Sequence, residues 1–357
     1  MNRLQNLSLK LKRGEKISVA YMGGSVTEGY GSSNQREKSW PALLGKMIAE
    51  KYGVEVENHN EGIGGTCSYF GAFRFDTDVA PYKPDLLFIE FAVNDYYHTE
   101  SYETVARNSE SILAKAYRLN PYMDVVYVLT FDLHEEKNDY VQLRGHRDIA
   151  DKYGLLSVKM SEFMYPRAEE EGKNVNNYYI DWVHPNDYGY QTHAEIIGAQ
   201  LFEEIEASAG AEVPVKHEFL GERGSLIADA HFVYANDENV CNVNGWEYEA
   251  GTFSYLGGKY GGRLKADIPG SSFELKFYGT ALGIFYGADV NRGRISISVD
   301  GVEVGKREGY RWTANPKEHP IIDSLPLGEH VAKFTLLEEK NEESKSNFFE
   351  IGVFLVA

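Results

Sequence analysis

Two cysteines in 357 residues, Cys67 and Cys241, are too few and too far apart for a disulfide framework or a zinc knuckle. Positive charge is also scarce: 36 Lys and Arg stand against 54 Asp and Glu, a formal net charge of -18. So acidic a chain repels phosphate backbones and anionic lipid, which argues against nucleic-acid and membrane-surface partners. No apolar run is long enough to span a bilayer. Residues 1–14 lack the apolar stretch of a signal peptide. A cytoplasmic location is the expectation.

Several familiar motifs are missing as well. The nucleophile elbow G-x-S-x-G fails at its second glycine, which is Thr27 here. No Gly-Lys-Ser/Thr ending supports a P-loop. Gly62-Ile63-Gly64 opens like a dinucleotide fingerprint, but its last glycine would fall on Cys67.

What is present is an ordinary globular composition, 43% hydrophobic and 25% charged, which excludes general disorder. The length calls for two domains. In the first 210 residues, apolar runs alternate with helical patterns. Strands are expected at 17–22 (ISVAYM), 54–57, 86–93 (LLFIEFAV), 124–130 and 155–158. Helices are expected from Ser39-Trp40-Pro41 to Gly53, over 105–119 and 145–153, and over 187–207. Strands apolar on both faces, alternating with helices, make a parallel sheet covered on both sides. Ligands of such sheets sit beyond the carboxyl ends of the strands.

Residues 207–211 read as a linker rich in small residues. Beyond it helical periodicity stops, and strands are expected at 273–278, 283–286, 294–299, 330–336 and 348–356, with Asp300-Gly301 as a hairpin turn. The expected division is therefore 1–210, an α/β domain, and 222–357, an all-β jelly-roll sandwich.

Three strand ends and one late motif carry chemistry. Ser25 follows the first strand in Gly23-Gly24-Ser25-Val26-Thr27-Glu28-Gly29, where it is either a presented hydroxyl or a helix cap. Asp181-Trp182-Val183-His184, before Pro185, can carry an imidazole and the carboxylate that orients it. The loop Asn60-Glu61-Gly62-Ile63-Gly64-Gly65 and the segment Phe91-Ala92-Val93-Asn94-Asp95 can offer oxyanion donors. Trp40, Tyr96, Tyr97 and Trp182 fall near these blocks and could stack on a sugar or simply pack. Asp132 and His134 lack an evident third metal ligand. His193 reads as structural, and Cys67 lacks a base of its own.

Together these blocks resemble the SGNH hydrolase superfamily, the GDSL esterases, over residues 14–205. The resemblance implies a three-layer α/β/α, flavodoxin-like fold with a five-stranded parallel sheet. It implies Ser25 as nucleophile, His184 as base and acid, and Asp181 as its orienter. Ser25, Gly65 and Asn94 would form the oxyanion hole. One position departs from the family pattern: Gly24 stands where Gly-Asp-Ser would have Asp.

The segments 273–280, 297–301 and 325–330 resemble a jelly-roll module of carbohydrate acetyl esterases, although in the two-domain esterases considered the module comes first. The implied activity is removal of short acyl groups, O-acetyl above all, from carbohydrates, without metal or cofactor. Trp40, Tyr96 and Trp182 would touch the acylated oligosaccharide. Acyl transfer, lipase-like hydrolysis and glycan binding at a vestigial site are the alternatives.

Overall fold

The computed structural model describes residues 3–134, 139–221, 227–253, 260–312 and 314–357. The chain divides into two compact units, Met1–Ala228 and Asp229–Ala357. The expected second-domain start, residue 222, lies outside the described residues.

The first unit is built on five parallel strands: β1 (Ile17–Gly23), β2 (Val56–Gly62), β3 (Leu86–Glu90), β4 (Asp124–Leu129) and β5 (Leu156–Lys159). Their order is β2-β1-β3-β4-β5. Every residue of β1, β3 and β4 is buried, as the unbroken apolar runs require when both faces are covered. The helices are α1 (Gln5–Lys12), α2 (Ser25–Glu28), α3 (Gln35–Lys38), α4 (Trp40–Tyr52), α5 (Ser68–Asp78), α6 (Ala92–Tyr97), α7 (Tyr102–Leu119), α8 (Val141–Lys152), α9 (Ser161–Glu170) and α10 (Asp187–Ala207).

Alternate strand residues face opposite layers. Val19, Tyr21, Phe88, Val126 and Val128 join a core with Leu7 of α1, Leu44 and Ile48 of α4, and Ile197 and Leu201 of α10. On the other face Tyr127 receives the Ser109 hydroxyl from α7 at 2.9 Å, and its ring lies 6.0 Å from that of His146 on α8.

Three expectations change. The second strand runs over Val56–Gly62 rather than 54–57: β2 is a polar, half-exposed edge strand, and its VENHNEG sequence has no apolar run to announce it. The third strand stops at Glu90, because the chain turns into α6 at Ala92. Trp40 is fully buried at the start of α4. Its ring meets Tyr21 edge-on at 5.2 Å and Phe88 at 5.6 Å, so it is a core residue and not a substrate contact.

Residues 211–221 belong to the first unit. The Val215 N–H donates to Asn6 Oδ1 and the Asn6 amide donates back to the Val215 carbonyl, each at 2.8 Å. His217 Nε2 lies 2.9 Å from buried Asp124, which also accepts the Leu7 N–H at 2.8 Å.

The second unit has two antiparallel sheets. Its strands are β6 (His231–Tyr234), β7 (Val240–Asn244), β8 (Glu247–Ala250), β9 (Gly262–Ala266), β10 (Ser272–Gly279), β11 (Leu282–Ala288), β12 (Arg294–Val299), β13 (Val302–Glu308), β14 (Asn315–Ile322), β15 (Gly328–Leu336) and β16 (Phe349–Val356). One sheet runs β13-β12-β15-β10-β7; the other runs β14-β11-β16-β9-β8, with β6 beside β16. Strict alternation in β10 and β15 sends Phe273 and Phe334 inward, where they stack at 4.7 Å. Asp300 and Gly301 both adopt positive φ, 51° and 81°, the conformation a two-residue hairpin demands between β12 and β13.

Candidate active site

At the end of β1 the chain has no room for side chains. A Cβ on Gly23 would lie 2.6 Å from the Glu90 carbonyl oxygen, and one on Gly24 would lie 2.1 Å from Asn94 Oδ1. Two glycines therefore let the turn press against β3 and α6, and Ser25 opens the short helix α2. Gly29 closes that helix at φ 97°, in the left-handed region.

The Ser25 hydroxyl lies 2.8 Å from His184 Nε2, and His184 Nδ1 lies 2.7 Å from Asp181 Oδ2. The other Asp181 oxygen accepts the N–H groups of Val183 and His184, each at 2.8 Å. Partial burial pushes the Asp181 carboxyl up, but these donors outweigh it and hold the group below its ordinary range. It is ionised at neutral pH and fixes the proton of His184 on Nδ1, leaving Nε2 to accept from Ser25. The loop is closed by the Ile180 N–H donating to the His184 carbonyl at 2.9 Å. Tyr30 packs edge-on against the His184 ring at 4.7 Å. A hydroxyl so paired can lose its proton to imidazole as it attacks an ester.

The donors expected for an oxyanion stand nearby in the fold. Asn94 lies in the first turn of α6 with its side-chain amide against Gly24 and its Oδ1 buried. Gly65 adopts φ 75°. Its loop is held to α2: Asn60 Nδ2 donates to the Thr27 carbonyl at 2.8 Å and the Gly64 N–H to Glu28 at 3.1 Å. The Gly65 carbonyl lies 3.2 Å from His98 Nε2.

Beneath this layer lie charged residues that the sequence reading passed over. Glu90, the last residue of β3, is fully buried and accepts the Thr27 hydroxyl at 2.9 Å and the Thr130 hydroxyl. Burial pushes its carboxyl up to about 7, against the two threonines and the Gly24 and Thr27 N–H groups that favour the charge. Arg74 is fully buried in α5 and donates to the carbonyls of Gly23 at 2.9 Å and Glu61 at 2.6 Å, while pairing with Asp78 at 2.9 Å. It thus joins the ends of β1 and β2. Asp95 accepts the Ser68 N–H at 2.9 Å and faces His146 Nε2 at 2.6 Å. A charge inside an apolar strand (LLFIEFAV) and another inside an aromatic helix (FGAFRFD) are the signals that could have found Glu90 and Arg74.

The remaining candidates separate clearly. Trp182 and Tyr97 are about half exposed. Tyr96 is packed between Tyr97 at 5.4 Å and Tyr140 at 4.8 Å. Asp132 is buried and bonded to His134 and Tyr97. His193 is buried within α10 with its Nε2 3.0 Å from the Tyr179 hydroxyl, and burial pushes its pKa down to about 3. It is a core residue, as expected.

Residues 21–192 match the GDSL-like Lipase/Acylhydrolase family, and the first unit carries a domain of that family. Over the whole chain the fold is that of a solved two-domain esterase active on acetylated mannans: the TM-score is 0.84 at 22% identity, covering 99% of this chain and 95% of the other. A structure of a two-domain esterase active on acetylated mannans, co-crystallised with mannopentaose, gives a TM-score of 0.81 at 23% identity, covering 99% of this chain and 94% of the other. At these identities the likeness is one of fold: an SGNH-type domain followed by a β module. No curated protein sequence matches the chain.

Proposed function

We propose that this protein is a serine esterase that removes O-acetyl groups from carbohydrates through an acyl-Ser25 intermediate. The observation that carries the chemistry is the continuous line Asp181–His184–Ser25, with contacts of 2.7 Å and 2.8 Å. Ser25 Oγ attacks the ester carbonyl carbon while its proton passes to His184 Nε2. Negative charge gathers on the former carbonyl oxygen, where the N–H groups of Ser25 and Gly65 and the Asn94 amide stabilise it. Collapse expels the sugar oxygen, which takes the proton from His184. Water, deprotonated by the same imidazole, then releases acetate and restores Ser25.

The carbohydrate part of the reading is supported by the full-length likeness to a fold whose solved example acts on acetylated mannans, and by half-exposed Trp182 beside His184. The deciding experiment joins two measurements. A fluorophosphonate should label wild type on Ser25 and leave Ser25→Ala unlabelled. Acetate should be released from acetylated mannan oligosaccharides. Labelling elsewhere overturns the nucleophile; an active serine without acetate release overturns the substrate class.

A further inference from the structure

Four side chains on three elements meet beside the Asp181–His184 loop. The chain after β4 is tied to that loop by the Leu133 N–H, which donates to the Trp182 carbonyl at 2.9 Å. The rings of Trp182 and His134 pack together at 3.8 Å. Buried Asp132 accepts the His134 N–H at 2.6 Å, faces His134 Nδ1 at 3.0 Å, and accepts the Tyr97 hydroxyl. Tyr97 comes from α6, three residues after Asn94.

The direction of these hydrogen bonds decides what the cluster can read. A carboxylate only accepts. Tyr97 therefore donates its O–H hydrogen bond to Asp132, and what its oxygen offers outward is a lone pair. His134, with its Nδ1 proton on Asp132, is fixed in the tautomer whose Nε2 accepts. Both side chains are about half exposed. The cluster thus presents two fixed acceptors next to an exposed indole. Free sugar hydroxyls supply the matching donors, and the indole supplies the stacking face.

We propose that Asp132, His134, Tyr97 and Trp182 form a sugar subsite that selects esters whose leaving group carries a free hydroxyl next to the acylated oxygen. Asp132 touches no substrate and acts as a positioning residue; His134 Nε2 and the Tyr97 oxygen accept hydrogen bonds from the sugar hydroxyls. The inference rests on the carbohydrate-ester reading above and adds a specificity to it: removing the neighbouring donor should weaken turnover even when no bulk is added.

The test compares a methyl mannoside carrying one O-acetyl group with its analogues in which a neighbouring hydroxyl is replaced by hydrogen. p-Nitrophenyl acetate serves as the reference for the chemistry itself. Wild type should favour the hydroxylated ester in kcat/KM by about five- to tenfold over at least one deoxy analogue, the worth of one hydrogen bond. His134→Ala should bring that ratio close to one, and Tyr97→Phe, which keeps the ring, should lower it severalfold. Both variants should melt within a few degrees of wild type. A wild-type ratio near one, or a ratio unchanged in both variants, overturns the subsite. Hydrolysis of p-nitrophenyl acetate with no turnover of any glycoside overturns the carbohydrate reading itself.

Discussion

Asn94 Oδ1 occupies the space that a side chain on residue 24 would need: a Cβ there would lie 2.1 Å away. The glycine that replaces the usual acidic residue of the Gly-Asp-Ser pattern is thus matched to the position of the amide. Gly24→Ala should push Asn94 aside, and Gly24→Asp should do so further. Losing one oxyanion donor costs roughly 10²- to 10³-fold in kcat. Steady-state kinetics on p-nitrophenyl acetate would read this, and a Gly24→Ala enzyme within twofold of wild type would remove Asn94 from the donor set.

Ser25→Ala should abolish turnover and shift the unfolding midpoint by less than about 0.5 kcal/mol in free energy, as expected of a substitution away from packing and buried networks. His184→Ala should be equally inactive. Asp181→Asn should fall between wild type and these, since the oxyanion donors and the imidazole remain. The rate of acetate release and a urea titration of each variant check all three.

Glu90 makes stability depend on pH in a stated direction. Its carboxyl sits near 4.5 in the ordinary state and is pushed up to about 7 by burial. Between those values the folded protein holds a proton that the unfolded chain gives up. Its contribution is therefore complete below about pH 4.5 and is lost as the pH rises through about 7. Glu90→Gln should flatten the change in Tm over this interval relative to wild type. A parallel pair of Tm curves would show that Glu90 titrates in its ordinary range.

Arg74→Met would remove the buried ion pair with Asp78 and the guanidinium's hydrogen bonds to the Gly23 and Glu61 carbonyls. Breaking a buried pair from one side costs about 3–5 kcal/mol. The urea midpoint should fall accordingly. A loss below about 1 kcal/mol would mean that water replaces the guanidinium at the ends of β1 and β2.

The parts legible in the sequence are those with one dominant physical cause. The strands over 86–90 and 124–129 are unbroken apolar runs, and the Asp300-Gly301 turn needs two positive φ values. The contacts among Ser25, Asp181 and His184 join the end of β1 to the D-x-x-H loop before α10, both visible as motifs. What escaped has competing causes. β2 is polar because it is an edge strand. Trp40 follows a helix-start signal, and helical spacing alone does not tell a core indole from one at a site; only its packing on Tyr21 and Phe88 does. Glu90 and Arg74 stand out locally as charges in apolar surroundings, but the groups they and Asp95 hold lie far away in sequence, so their roles show only in the fold.

The strap at residues 213–217 also marks a seam for recombination. Asp124 opens β4 and receives Leu7 from one end of the unit and His217 from the other. A chimera joined just after Ala207 would strand this carboxylate without its imidazole and strip the Val215 partner from Asn6. Grafts of other modules onto this hydrolase should therefore place their junction beyond Ala228, where the first unit ends, so that the strap stays with its partners.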